Sequence, residues 1–276
     1  QEYLLIKEQQ EREVVEKQIT KEQKQYEQFI SEVDKNTSLQ GVEQQPRERN
    51  YQPTTYIDIN LKNRQDWLKK MSKKTVALTF DDGPSPKYTE QILDILKKYN
   101  VKATFFVVGY RVEQYCPIVK RIVAEGHELG NHTYYHNFLA KITPDLQQEE
   151  IYKTQLVINN CVGNAYLPRW LRSPYGNQDE TTLNIAHNLG LHTVLWSIDT
   201  NDWRKNSNRK SIISQVMKTR GQDIILMHDA TEANPQLGLP ESSDSRQNTV
   251  DSLEEIIVKL QGNRINFVTM SQAFLY

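Results

Sequence analysis

The chain has 276 residues, 34 Lys and Arg against 35 Asp and Glu, and a net charge of −1. That length holds one large domain with a substantial core plus an appendage, and the balanced charge gives no electrostatic case for a nucleic-acid partner. Mean hydropathy is −0.70, and no apolar run approaches the ~20 residues that span a bilayer.

The chain opens without Met or a signal-peptide core, so it reads as a fragment or mature form, which leaves room for an export signal or anchor upstream of Gln1. From Gln1 to Asn36 it is dominated by Gln, Glu and Lys, without Gly or Pro. Apolar residues recur at Val15, Ile19, Tyr26, Phe29, Ile30 and Val33 at near-helical spacing, which predicts a polar helix with a narrow apolar stripe, docked or serving as a stalk. Residues 37–73 read as a linker and lead-in. The breakers Gly41, Pro46 and Pro53 come first, then a short strand at Tyr56 to Ile59 and a short helix from Arg64 to Met71.

From Lys74 to Tyr276 strands and helices alternate. The strand opening at Thr75 precedes a helix at Tyr88 to Tyr99. Strand Ala103 to Val108 precedes a helix at Cys116 to Glu125, and a short strand from Gly126 precedes a helix at Pro144 to Asn160. Then come strand Leu167 to Leu171, helix Asp179 to Leu189, strand His192 to Leu195 and helix Asn208 to Thr219. Strand Asp223 to Met227, helix Asn248 to Leu260 and strand Ile265 to Val268 close the series. Repeated βα units imply an α/β fold, a distorted and incomplete (β/α) barrel of about seven parallel strands.

In such a barrel, functional groups sit on loops at the carboxyl ends of strands, and the unusual polar residues fall there. Asp81 and Asp82 follow the first strand, a costly pairing unless a positive partner such as a metal ion compensates them. His132 and His136 follow the short third strand and are four apart, so one helical turn would present both imidazoles on one side. With a carboxylate they make a donor set suited to zinc or a similar ion with an open position. Arg172 to Gly176, then Asp199, Asp202 and Trp203, then His228 and Asp229 complete the rim.

The segments TFDDGP, NHTYYH, RSPYG, DTNDW and LMHD, in this order, resemble the five motifs of the polysaccharide deacetylase family, also called the NodB-homology or carbohydrate esterase family 4 domain, over Lys74 to Tyr276. The resemblance implies metal-dependent hydrolysis of N-acetyl groups, sometimes O-acetyl groups, on sugars. It implies Asp82, His132 and His136 as metal ligands, with Zn²⁺ expected and Co²⁺, Ni²⁺ or Mn²⁺ as alternatives. Asp81 matches the general base and Arg172 the arginine that orients it. The backbone N–H of Tyr175 matches the oxyanion donor, His228 the general acid and Asp202 its partner. Trp203 and Leu226 match the walls of the acetyl pocket, with Pro174 and Tyr175 also on the substrate side.

The partner so implied is an acetylated glycan, GlcNAc-containing peptidoglycan or chitin-type oligomers, and the setting is extracytoplasmic, secreted or envelope-anchored. The alternatives are an acetyl-xylan or other O-acetyl esterase, or an inactive carbohydrate-binding module. His127, His187 and His192 match no motif and read as structural or solvated. Asp229 receives no role, and Tyr110, Arg111, Tyr134 and Tyr135 are candidates for stacking on sugar. The polar insertion from Glu232 to Gln247 is expected to form one wall of the substrate groove. Cys116 opens one predicted helix at the rim and Cys161 follows the end of the next. Ends roughly 15–25 Å apart exceed the about 4.4–6.8 Å between Cα atoms that a disulfide tolerates, so free thiols are expected. Oligomeric state is not legible.

Overall fold

The computed structural model describes residues 56–274, apart from 61, 164, 165, 167, 232 and 239–244. The helix expected from Gln1 to Asn36 and the linker residues 37–55 lie outside the described residues. The chain then runs β1 (Asp58–Ile59), α1 (Arg64–Leu68), β2 (Thr75–Asp81), α2 (Thr89–Lys98), β3 (Thr104–Val107), α3 (Gly109–Gln114), α4 (Cys116–Ala124) and β4 (Glu128–Asn131). It continues through α5 (Pro144–Val162), β5 (Trp170–Leu171), α6 (Glu180–Asn188), β6 (His192–Val194) and β7 (Ile198–Asp199). The last elements are α7 (Arg209–Val216), β8 (Asp223–His228), α8 (Gln247–Gly262), β9 (Asn266–Val268) and α9 (Met270–Phe274).

Among the described residues the strands form one sheet in the order β1-β6-β5-β4-β3-β2-β8-β7, with β9 also on β2. All eight pairings are parallel. The first half of β2 carries β9, from Thr75 opposite Asn266, and the second half carries β3, from Thr79 opposite Thr104. The chain itself closes the ring. β6 pairs with β5 and β1, and after Val194 the same stretch reaches β7, which pairs with β8. No β6–β7 ladder exists among the described residues, so the barrel is incomplete, as the repeated βα pattern predicts. Of the strands beyond the seven expected from Lys74 on, β1 is the short lead-in strand expected at Tyr56 to Ile59, and β7 is a two-residue piece too short to leave a periodic signal.

Alternation along the strands sorts the core into two layers. Val76, Leu78, Phe80, Phe105 and Val107 face outward, against helical residues such as Ile92, Leu96, Ile122 and Leu253. Ala77, Phe106, Trp170, Val194 and Ile224 pack inward, with Ile57, Ile59, Leu68 and Met71 of the lead-in filling the same interior. Glu128 binds the start of α9, accepting from the Ser271 backbone N–H at 2.9 Å. Two helices open on capping boxes: Asp179 Oδ1 accepts from Thr182 N at 2.8 Å, and Asn208 Oδ1 from Ser211 N at 3.1 Å.

The expectation of free thiols is overturned, because Cys116 and Cys161 form a disulfide with Cα atoms 5.6 Å apart. The reason is α3, a helix that the sequence reading left as loop. It packs along α5, beginning where a Cβ on Gly109 would lie 2.8 Å from Thr154 Oγ1. Seven residues further along each chain are Cys116 and Cys161. So α3 runs beside the second half of α5 and carries the start of α4 to its far end.

Candidate active site

The inward phase of the strands assembles the site. Thr79 and Asp81 lie inward on β2, and the register sets Asp81 opposite His228 of β8. One inward step past β4 is His132, and one past β5 is Arg172. Asp82 falls in the outward phase, but its φ of 77° breaks the alternation and returns its carboxylate to the mouth. Both acids are buried, at 3% and 6% exposure.

The neighbours of these adjacent acids differ. Asp81 Oδ1 accepts from Arg172 Nη1 at 2.8 Å. Arg172 is wholly buried; it also donates to Thr79 Oγ1 at 2.8 Å and to the carbonyls of Val194 and Leu195, and its guanidinium stands 4.1 Å from the Phe106 ring. That position requires Gly130, since a Cβ there would lie 2.4 Å from Phe106. Asp82 Oδ1 instead lies 3.1 Å from His136 Nε2 and 3.5 Å from His132 Nε2. Burial opposes ionisation of Asp82, yet the facing His136 and His132 hold its carboxyl well below the usual range.

These three donors fit a metal ion. His132 Nδ1 lies 2.7 Å from the Arg172 carbonyl, which can only accept, so Nδ1 carries a proton and Nε2 is the nitrogen turned to a metal. His136 Nδ1 lies 3.2 Å from the Tyr175 hydroxyl. Asp82 Oδ1 is buried without a hydrogen-bond partner, and the three ligand atoms lie within 4.8 Å of one another. Lone pairs aimed at one point repel unless a cation sits there. The two histidines do not share a helical turn as the spacing suggested. Residues 132–136 form a loop with left-handed Thr133 (φ 64°) and His136 (φ 63°), and this folded loop brings the rings together.

Across the mouth, His228 Nδ1 lies 2.7 Å from Asp202 Oδ1, and Asp202 Oδ2 accepts from His228 N and Thr249 Oγ1, each at 2.8 Å. Burial pulls the His228 pKa down, but the Asp202 charge and hydrogen bond outweigh it and push the value up to about 9. Tyr175 is left-handed (φ 59°) and half exposed, its ring stacked 3.8 Å from that of Phe138. Pro174 is buried beside it, Leu226 is buried on β8, and Trp203 is 43% exposed under the Arg204 guanidinium.

Asp229 is wholly buried. Its Oδ2 accepts from Thr89 Oγ1 at 2.6 Å, and burial raises its pKa to about 7. A Cβ on Gly83 would meet this carboxylate at 2.2 Å, so the glycine after the acid pair is required by close approach. Tyr134 and Arg111 are buried, and Arg111 donates to the Thr231 carbonyl at 2.9 Å, so neither offers a face for stacking on sugar. Of the insertion after β8, Arg246 is buried and donates to the Ala230 carbonyl, while residues 232 and 239–244 lie outside the described residues. His127 and His192 are buried acceptors for the Ala103 and Ile57 backbone N–H groups, and His187 stacks on Tyr56; all three are structural. The sequence reading assigned no role to Glu150 and Thr249, common residue types outside the motifs, or to Thr79, which opens the first motif; all three act through the fold.

The polysaccharide deacetylase family profile matches residues 68–194. A Bacillus cereus peptidoglycan-N-acetylglucosamine deacetylase is 39% identical over 203 residues, 74% of this chain and 69% of that protein. The Bacillus subtilis peptidoglycan-N-acetylmuramic acid deacetylase PdaC is 37% identical over 73% of this chain and 39% of its own length. A crystal structure of a peptidoglycan N-acetylglucosamine deacetylase bound to an N-hydroxybenzamide superposes with a TM-score of 0.66 at 38% identity, covering 76% of this chain and 96% of that one.

Proposed function

The chain belongs to the polysaccharide deacetylase family, and we propose that it removes N-acetyl groups from GlcNAc residues of peptidoglycan, releasing acetate. The observation that carries this reading is the unequal environment of two adjacent acids: Asp81 faces a buried arginine and Asp82 faces two imidazole nitrogens. Neighbouring carboxylates with different partners suit different tasks.

Asp82, His132 and His136 would hold the metal, which we assign as Zn²⁺. When bound, the ion supplies a Lewis acid that polarises the amide carbonyl and makes water acidic near neutral pH. Asp81 takes the proton from the attacking water, using Oδ2, which lies 3.9 Å from His132 Nε2, while Arg172 occupies Oδ1 and fixes the carboxylate plane. The Tyr175 backbone N–H donates to the oxyanion as charge develops there. His228, kept cationic by Asp202, gives its proton to the leaving amine. Leu226 and Trp203 wall the acetyl methyl, and Pro174 and Tyr175 border the sugar.

A polymer of the cell wall places the enzyme outside the cytoplasm. The Cys116–Cys161 bond supports this, since disulfides persist in oxidising compartments. No helix among the described residues is long and apolar enough to cross a membrane. The test is acetate release by metal-free protein with Zn²⁺, Co²⁺, Ni²⁺ or Mn²⁺ restored, on peptidoglycan, chitopentaose and acetyl-xylan. Metal-dependent release from peptidoglycan with glucosamine appearing in the digest is expected. Muramic acid as the sole deacetylated sugar, or release from acetyl-xylan alone, would overturn the substrate assignment; no release from any glycan would make the chain a binding module.

A further inference from the structure

The loop between the two histidines is held by a carboxylate that belongs to none of the motifs. Glu150, in the second turn of α5, is 6% exposed. Its Oε2 accepts from the backbone N–H groups of Tyr134 at 2.9 Å and Tyr135 at 2.8 Å, and its Oε1 from Asn137 Nδ2 at 3.1 Å. These three donors flank His136 on both sides. Two consecutive N–H groups converging on one oxygen form an anion-binding nest.

The same loop carries two left-handed residues, one of them the β-branched Thr133. Such backbone persists only where its surroundings over-determine it. The first turn is pinned by Asn131, whose Oδ1 accepts from Thr133 N at 2.9 Å and whose Nδ2 donates to the Ile151 carbonyl. Glu150 pins the second. Asn137 extends the contact across the mouth: its Nδ2 also donates to Gln236 Oε1 at 2.9 Å, and its Oδ1 accepts from Asn234 Nδ2 at 2.9 Å. The segment that follows His228 is thereby tied to the loop that carries His136.

We infer that Glu150 is the positioning residue of the metal centre, holding the backbone around His136 so that its Nε2 faces Asp82. This rests on the metal assignment above. Outer partners that orient a ligand set metal affinity, and their loss typically costs about 10–100-fold. The chemistry of the replacement predicts a graded effect. In Glu150→Gln one amide oxygen still accepts from the nest, but the new NH₂ meets the NH₂ of Asn137. Turning Asn137 over moves the donor–donor clash to Asn234 and sets its oxygen against Gln236 Oε1. In Glu150→Ala the two buried N–H groups lose their acceptor altogether.

The test is a Zn²⁺ titration of the full chain against a chromophoric chelator, with the thermal midpoint of each metal-free protein measured alongside. Glu150→Ala is expected to raise the Zn²⁺ Kd by about 10–100-fold and Glu150→Gln by a smaller factor of about 3–10. Amide exchange at Tyr134 and Tyr135 is expected to accelerate in both. A lowered thermal midpoint with Zn²⁺ affinity within about twofold of the unsubstituted chain would make Glu150 merely structural and overturn the inference. If Glu150→Ala fails to fold, Glu150→Gln decides by the same criterion. If the unsubstituted chain binds no Zn²⁺, the metal assignment fails first, and this inference with it.

Discussion

Asp81 and Asp82 share a strand end but not an environment, and single substitutions separate their tasks. Asp81→Asn keeps an oxygen for Arg172 Nη1 but removes the base, so turnover should fall by about 10²–10⁴-fold while Zn²⁺ remains bound. It also leaves the wholly buried Arg172 without its carboxylate partner, a loss of about 3 kcal/mol in stability. Loss of the metal in this variant, read by metal analysis, would mean the two acids are assigned in the wrong order. His228 gives a second handle. Its cation is the working acid, with a pKa raised to about 9 chiefly by Asp202 against the pull of burial. The acid is present below that pH and lost above it, so kcat/KM should decline on an alkaline limb near pH 9. Asp202→Asn removes the charge but keeps a hydrogen-bond acceptor, and the limb should move down by about one unit or more. A limb that does not move in the pH–rate profile would detach it from His228.

Short elements set the geometry that these residues depend on. Gly130 on β4 leaves room for the Phe106 ring, and that ring supports the Arg172 guanidinium. Gly130→Ala should displace Phe106, costing about 1–3 kcal/mol by overpacking and lowering kcat through a tilted Arg172. Unchanged denaturant stability and unchanged kcat would show that the ring yields freely. The motif residues were legible in sequence because strand alternation and side-chain chemistry agree at Asp81, His132, Arg172 and His228. The conformation of the His132–His136 loop was not, since Asn131 binds the Thr133 backbone while the backbone beside left-handed His136 is bound by Glu150, a common surface residue type fourteen positions after it. Nor was α3, six residues opened by Gly109 with no sustained apolar stripe. β7 is two residues, the second of which opens the DTNDW motif, in a stretch that reads as loop.

At the scale of the molecule, the ring order brings together groups from Asp81 to His228, because each βα unit returns the next strand end to the same rim. Parity and connectivity are local signals, so the barrel could be anticipated from them. The disulfide depends on how α3 lies on α5, a packing relation that no local pattern encodes. Its energetic weight follows from the chain it closes. With the cysteines 45 positions apart, the loop-closure model gives about 4 kcal/mol of stabilisation through the unfolded state. For a domain of this size that corresponds to roughly 8–16 °C in Tm. Cys116→Ser with Cys161→Ser should therefore lower Tm by that amount under non-reducing conditions, and a reductant should lower the unsubstituted protein to the same value. None of the residues proposed to hold the metal or move protons lies on α3 or α4, so Zn²⁺ affinity of the folded double variant should match that of the unsubstituted chain. A Tm indifferent to both treatments would show that the helices α3, α4 and α5 hold their packing without the bond.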